Sequence, residues 1–213
     1  MKGREGFRLT HWDVLLVRHG ESEANATGRF AVRTWDPHLT AKGHEQARQL
    51  ALQLSHAPIR HVVTSPLARA METIEPVASQ HLLTPTVLGD LTEVDLGGWD
   101  GQRLRDLERH GDYRAWRQDP QKNPPPGGER ICDVGQRVLG ALQEFFATHN
   151  PGLTIASTHA DCVKGALLVV MGAGGPAARR VFVPNTGQLL LRWTHPGKWL
   201  ILLSPLVVTP PAH

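Results

Sequence analysis

Short apolar runs alternate with segments of helical periodicity along this chain, and this alternation limits its fold more than any other feature. The runs Asp13–Arg18, His61–Ser65 and Leu153–Thr158 have the length and composition of strands that are buried on both faces. Strands of this kind belong to parallel sheets, which need a crossover, usually a helix, between successive strands. The alternation therefore predicts an α/β fold of three layers (αβα), in which a mostly parallel central sheet carries helices on both faces.

The segments around these runs carry the signals of helices. Thr40 can cap a helix that extends to about His56, and Pro66 can occupy the first position of the next helix. Pro76 should kink or end that second helix, because proline lacks the backbone N–H that the helix needs. Further helices are predicted over residues 103–118, which should be exposed, 131–149 and 161–171.

The C-terminal part of the chain is predicted to complete the sheet. Two further strands, Gln188–Thr194 and Lys198–Ser204, flank a Pro196–Gly197 turn. The 213 residues contain no internal repeat and no linker long enough to separate domains. We therefore expect one domain over residues 1–213, with its core at about 13–204.

Composition disfavours several classes of protein. No stretch of about 20 apolar residues could span a membrane, and residues 1–12 lack the apolar centre of a secretory signal. The two cysteines, Cys132 and Cys162, are interpreted as small buried residues, which favours the cytoplasm. The net charge of +3 is not gathered in a basic stripe, so neither nucleic acid nor a membrane is an expected partner. The oligomeric state stays open, with a homodimer as one option.

One segment does concentrate arginine. Five arginines lie between residues 103 and 117, against three acidic residues. One interpretation is a solvated helical face with alternating charges. The other is a positive rim over a site for an anionic substrate, in which Arg103 and Arg105 would contribute to the choice of substrate.

Arginine and histidine side chains follow all three buried runs. Arg18 and His19 end the first run, Arg69 follows the second, and His159 follows the third. Because the carboxyl ends of parallel strands meet at one edge of a sheet, these side chains should form one cationic pocket. Arginine forks bind phosphate oxygens, and imidazole can act as a nucleophile or proton carrier. The pocket suits phosphoryl transfer, in which catalysis is mostly positioning and charge stabilisation.

An ordered set of motifs adds a family resemblance. The motifs are Arg18–Glu21 with Asn25, Asp36–Ala47, Thr64–Thr73, Leu91–Gly101, and Gly127–Glu129 with Asn185. In this order and spacing, over residues 13–193, they resemble the histidine phosphatase superfamily, also called the phosphoglycerate mutase-like family. The acid motif, Glu93-Val-Asp-Leu-Gly, is similar to the form found in the phosphatase branch.

The resemblance implies a hydrolase of small-molecule phosphomonoesters that works by a ping-pong mechanism without a metal or another cofactor. His19 would be the nucleophile that becomes a phosphohistidine, and Glu93 would act first as general acid and then as general base. The residues that would bind the phosphoryl group are Arg18, Asn25, Arg69, His159 and Ala160.

Two positions depart from the family pattern. Ala160 stands where family members usually carry glycine after the second histidine, and Arg130 replaces a serine that often follows Gly-Gly-Glu. Ala160 is expected either to narrow the pocket or to tilt its own backbone amide. Neither change removes a catalytic group, so both bear on substrate identity more than on activity.

Two alternatives to a phosphatase stay open. A cofactor-dependent phosphoglycerate mutase shares the first two motifs, although its acid motif usually reads Glu-Arg-His-Tyr-Gly. A binding module could keep the pocket for a phosphorylated ligand without catalysis. A metalloenzyme is disfavoured, because His159 and Cys162 have no second pair of ligands at a suitable spacing.

Overall fold

A computed structural model describes residues 11–32, 34–194 and 197–203 of the chain. Six strands form one sheet in the order β3-β2-β4-β1-β5-β6. The strands are β1 (His11–Arg18), β2 (Ile59–Thr64), β3 (Thr86–Val87), β4 (Leu153–Thr158), β5 (Gln188–Thr194) and β6 (Lys198–Ile201). The helices are α1 (Glu23–Thr27), α2 (Ala41–Gln53), α3 (Ala68–Gln80), α4 (Leu104–Leu107), α5 (Gly111–Gln118), α6 (Ile131–Thr148) and α7 (Ala160–Met171).

The sheet is mixed but mostly parallel, which confirms the predicted α/β class. Strands β3, β2, β4 and β1 are parallel, and β5 and β6 add an antiparallel edge. Alternate side chains of β1 point to opposite faces. Val14 and Leu16 belong to the core cluster under α6 and α7, whereas Leu15 and Val17 belong to the cluster under α2 and α3. Helices therefore cover both faces, as the alternation of elements predicts.

The helix after β2 departs from the prediction at both of its prolines. It begins at Ala68, with Leu67 as its N-cap, so Pro66 lies outside it. It also continues through Pro76 to Gln80. The expected break at Pro76 is wrong because Ile74 and Val77, on either side of it, are completely buried in the core. Their burial outweighs the one backbone hydrogen bond that the proline removes.

The arginine-rich segment is also not the single exposed helix that was predicted. It forms two short helices, α4 and α5, and each buries one residue in the core, Leu107 and Tyr113 respectively. In one continuous helix these two positions, six residues apart, would lie about 120° apart around the axis. The break at residues 108–110 lets both side chains face the core.

The predicted C-terminal strand pair is present, although the last strand is shorter than expected. Strand β6 ends at Ile201. Two residues of the prediction, Pro196 of the turn and Ser204 at the strand end, lie outside the described residues. In the part of the chain that the structure describes, no helix is long and apolar enough to cross a membrane.

Helices α6 and α7 approach each other more closely than any side chain would allow. A Cβ atom added to Gly135 would lie 2.2 Å from the carbonyl oxygen of Gly165. One added to Gly165 would lie 2.5 Å from the carbonyl oxygen of Ile131. Only glycine permits this backbone contact.

Candidate active site

His19 lies directly after β1 and is buried. Its Nδ1 is 2.6 Å from the carbonyl oxygen of Gly20, and its Nε2 is 3.2 Å from Nε of Arg69. Since a carbonyl can only accept, Nδ1 carries the ring proton and Nε2 keeps its lone pair. Burial, and then the charge of Arg69, hold the pKa of His19 well below its usual value. The ring is therefore neutral and presents a nucleophilic nitrogen.

Arg69, the second residue of α3, is almost completely buried. Its Nη2 donates to the carbonyl oxygen of Ala31 at 2.9 Å, and its Nη1 lies 3.7 Å from a carboxylate oxygen of Asp36. The same Asp36 carboxylate accepts the backbone N–H of Ala68 at the first residue of the helix. One acidic side chain thus supports both the guanidinium and the start of the helix that carries it.

Arg18 and His159 complete the cationic group. Arg18 donates through Nη1 to the carbonyl oxygen of Val183 at 2.7 Å. The ring of His159 has no solvent exposure and lies edge-on to that of His19, with the two centroids 5.2 Å apart. Its Nε2 is 2.8 Å from Oγ of Ser65. Burial, followed by Arg69, lowers the pKa of His159 well below its usual value.

Three buried nitrogen atoms of this group have no hydrogen-bond partner among the described residues. They are Nε of Arg18, Nη1 of Arg69 and Nδ1 of His159. A buried polar atom without a partner costs free energy, and such atoms are rare unless a ligand or water satisfies them. Arginine nitrogens can only donate, so the group is suited to a ligand rich in oxygen acceptors and negative charge.

Glu93 lies on the loop between β3 and α4. Unlike His19 and His159, it does not directly follow a strand. Its Oε1 accepts the backbone N–H groups of Val94 at 2.9 Å and Asp161 at 3.3 Å. Burial, and then the charge of Asp161, raise the pKa of Glu93 to about 7. At neutral pH this carboxyl group is poised between its acid and base forms, as a general acid–base catalyst requires.

The loop that carries Glu93 is fixed by Arg137, a residue that the sequence interpretation missed. Arg137 Nη1 donates to the carbonyl oxygens of Asp90 at 2.6 Å and Thr92 at 2.8 Å, and Nη2 to that of Glu93 at 3.2 Å. The carboxylate of Glu129 accepts from Nε of the same guanidinium at 2.8 Å.

Glu129 also bonds to the loop itself. Its Oε2 accepts the backbone N–H of Asp95 at 2.8 Å, and its own N–H donates to the carbonyl oxygen of Asp95 at 2.9 Å. The sequence held one signal for Arg137, which directly precedes Val138 on the apolar stripe of α6. A charged residue at the edge of such a stripe needs a buried partner.

The predicted site residues converge on one cavity of about 450 Å³. Its lining includes six of the seven residues predicted to bind or react, namely Arg18, His19, Asn25, Arg69, Glu93 and Ala160. The seventh, His159, is completely buried beside His19 and is not among the residues that line the cavity. Asn25 is exposed at the margin, where its Oδ1 accepts from Nδ2 of Asn185 at 3.1 Å. Asn185 also donates to the backbone carbonyl of His19.

The arginine-rich segment contributes to this site with fewer residues than expected. Arg117 lines the cavity, and Arg114 and Arg117 line a second cavity beside it. Arg103 and Arg105, which the rim interpretation favoured, line neither cavity, which disfavours that choice of residues. They lie at the N-cap and in the first turn of α4. Within the described residues, no three His, Cys, Asp or Glu side chains come together as metal ligands would.

Comparison with known proteins connects this geometry to a family. The family described as histidine phosphatase superfamily (branch 1) matches residues 14–204. Phosphoserine phosphatase 1 of Hydrogenobacter thermophilus is 31% identical over 161 residues, which cover 75% of this chain and 76% of that protein. The adenosylcobalamin/alpha-ribazole phosphatase of Salmonella typhimurium is 40% identical over 140 residues, or 63% and 69% of the two chains. Other relatives are named probable phosphoglycerate mutases.

Solved structures agree with this assignment. The structure of Bacillus stearothermophilus YhfR superposes with a TM-score of 0.81 and is 26% identical. The superposition covers 89% of this chain and 94% of that one. The fold predicted from the alternation of strands and helices is therefore the one that these proteins share.

Proposed function

We propose, given that the chain belongs to the histidine phosphatase superfamily, that it hydrolyses small-molecule phosphomonoesters through a phosphohistidine on His19. One observation carries this proposal. The Nδ1–H of His19 is held by the carbonyl of Gly20, and this leaves Nε2 as an unprotonated nucleophile beside two arginines. The phosphatases among the relatives support the same reaction class.

In the first step, Nε2 of His19 attacks phosphorus, and the bond between phosphorus and the ester oxygen breaks. Arg18 and Arg69 neutralise the equatorial phosphoryl oxygens, which lie between the attacking Nε2 and the leaving ester oxygen. Oγ of Ser65 already accepts from the N–H of Leu67, and its proton is free to bond Nε2 of His159. Nδ1 of His159 then carries that ring's proton and is available to donate to an oxygen of the phosphoryl group on His19.

Glu93 supplies the proton that the leaving alkoxide needs. With a pKa of about 7, a substantial fraction of this residue is protonated at neutral pH. In the second step the resulting carboxylate accepts a proton from water, which attacks the phosphohistidine. The phosphorus–nitrogen bond breaks, phosphate leaves, and both His19 and Glu93 return to their starting states.

Trapping of the intermediate tests the nucleophile directly. Brief reaction with labelled substrate, followed by a quench, should leave label on the protein that is labile in acid and stable in alkali. His19→Ala should abolish the label, whereas His44→Ala, which changes an exposed histidine on α2, should retain it. Label that is stable on serine or aspartate, or full labelling of His19→Ala, would refute the proposal.

Metal independence is part of the same proposal, because Arg18 and Arg69 supply the positive charge. Activity should survive treatment with EDTA followed by dialysis, and vanadate should inhibit competitively as a mimic of the five-coordinate phosphoryl group. If EDTA abolished activity and Mg²⁺ or Zn²⁺ restored it, this mechanism would be wrong.

A phosphoglycerate mutase is the second candidate, since some relatives are named probable mutases. The acid motif Glu93-Val-Asp-Leu-Gly favours the phosphatase, because it departs from the usual mutase form. Incubation with 3-phosphoglycerate separates the two reactions. A phosphatase releases inorganic phosphate, and a mutase returns 2-phosphoglycerate with little phosphate released.

A further inference from the structure

A second cavity, of about 600 Å³, lies beside the proposed active site. The two cavities share the lining residues Tyr113, Trp116, Arg117, Asp161, Lys164 and Phe182. Arg18, Asn25, Arg69 and Ala160 line only the cavity of the proposed active site, here called the inner cavity. The two cavities adjoin at these shared residues, so a leaving group that extends away from the phosphoryl group would be directed towards the second, outer cavity.

The outer cavity has an excess of positive charge. Its charged lining consists of Arg114, Arg117, Lys164 and Arg179 against Glu108 and Asp161. The ammonium group of Lys164 lies 3.0 Å from a carboxylate oxygen of Asp161, so these two charges compensate each other. None of the three arginines forms an ion pair with any of the described residues.

Backbone carbonyls hold one of these arginines in place. Arg114 donates through Nη1 to the carbonyl oxygens of Glu108 and Arg109, which holds the guanidinium without neutralising it. Arg179 lies in the 3₁₀ segment Gly175–Arg180. Shortly after that segment, the carbonyl oxygen of Val183 accepts the 2.7 Å hydrogen bond from the phosphate-binding Arg18. Only a short stretch of chain therefore separates Arg179 from Val183, which contacts the phosphoryl-binding Arg18.

The passage between the cavities is bordered by aromatic side chains. Trp116 is partly buried, whereas Phe182 is 85% exposed, which is unusual for so large an apolar side chain. Both face the boundary that the two cavities share. An apolar part of a leaving group would cover these surfaces and remove them from water.

We propose that the outer cavity is the leaving-group subsite, and that it selects phosphomonoesters with a second anionic group at the far end of an apolar spacer. This inference rests on the proposed phosphatase activity. The second anion is a carboxylate or another phosphate, since a guanidinium binds both. Arg114 and Arg179, which line only the outer cavity, are its specificity-determining residues.

The test compares esters that differ only at their far end. Hexyl phosphate ends in a methyl group, 6-phosphooxyhexanoate ends in a carboxylate, and hexane-1,6-diol bisphosphate ends in a phosphate. Two solvent-exposed ion pairs predict a kcat/KM about fivefold to tenfold higher for each anionic ester than for hexyl phosphate. High salt should reduce this preference. The relation between the two anionic esters identifies which anion the subsite favours.

Variants assign the preference to its residues. Arg114→Gln with Arg179→Gln should bring the ratio of anionic to neutral kcat/KM close to one. Arg103→Gln with Arg105→Gln removes the same charge outside both cavities and should leave the ratio as in the unaltered protein. Turnover of hexyl phosphate without any preference for the anionic esters would overturn this inference but not the phosphatase. A preference that survives in the first double variant would also overturn it. No turnover of any ester would refute the proposed function itself.

Discussion

Two halves of the site are held in place in different ways. Arg18, His19 and His159 lie at the ends of β1 and β4, where parallel strand pairing fixes the backbone. Glu93 lies on a loop between two 3₁₀ segments, Gly89–Leu91 and Gly97–Trp99, and depends on the guanidinium of Arg137. One distant substitution can therefore displace the acid, whereas displacing the nucleophile requires disruption of the sheet.

The largest effect on activity is expected from Glu93→Gln, which removes the acid that the loop carries. An alkyl phosphate expels a strongly basic alkoxide, so its kcat/KM should fall by about 10²–10⁴-fold when the general acid is lost. p-Nitrophenolate leaves readily without a proton, so kcat/KM for p-nitrophenyl phosphate should fall far less. This parameter reports the first phosphoryl transfer and excludes the later hydrolysis.

The control is Asp95→Asn, whose Oδ1 accepts the N–H of Gly97 and which lines neither cavity. It should change neither ester's kcat/KM by a comparable amount. An equal loss for both esters in Glu93→Gln would show that Glu93 only shapes the pocket.

The next effect should come from Arg137→Lys, which touches no substrate. Lysine cannot reproduce the three hydrogen bonds to the loop carbonyls together with the two to Glu129, and a shift of about 1 Å in a catalytic group can cost about 10²-fold. We expect a loss of about 10–100-fold in kcat/KM for an alkyl phosphate and a smaller loss for p-nitrophenyl phosphate.

Arg192→Lys is the matched control for stability. Arg192 forms a comparable two-bond ion pair with Asp13 in the sheet, away from both cavities. It should lower Tm without changing the ratio between the two esters. If Arg137→Lys left that ratio unchanged as well, the positioning role of Arg137 would be wrong.

A smaller effect should appear in the pH profile. The raised pKa of Glu93 means that its acid form predominates below pH 7 and disappears as pH rises. For an alkyl phosphate, kcat/KM should therefore decline through about pH 7, approaching tenfold per pH unit above it. The profile should also contain a limb near pH 6, which comes from ionisation of the substrate's own phosphate. This limb should persist in Glu93→Gln. Persistence of the limb near pH 7 in that variant would assign it to another group.

The smallest effect is expected at the two arginines of the segment that line neither cavity, Arg103 and Arg105. Arg103→Gln and Arg105→Gln should each change kcat/KM by less than about twofold for both esters, as is usual for exposed charges. A selective rise in KM for an anionic substrate would show that these residues do form part of a positive rim over the site.

The contrast between the two halves also explains how much could be predicted from the sequence. Apolar runs place Arg18, His19 and His159 at one sheet edge, because strand ends meet in a known way. No local pattern places Glu93, whose position depends on Arg137, a residue 44 positions further along the chain. The family resemblance supplied Glu93, but it did not supply the guanidinium that holds its loop. Likewise, the break between α4 and α5 follows from tertiary burial of Leu107 and Tyr113, which helical propensity alone does not reveal.

The backbone contact between Gly135 and Gly165 fixes the positions of the two halves of the site relative to each other. Helix α6 carries Arg137 and so the acid loop, while α7 follows His159 directly, and the two helices meet without intervening side chains. Spreading them by even one methyl group would change the separation between the proton donor and the phosphoryl group. Substrate choice can therefore be redesigned at the outer arginines and aromatic residues. The α6–α7 contact leaves no such freedom, because it sets the separation between the proton donor and the phosphoryl group.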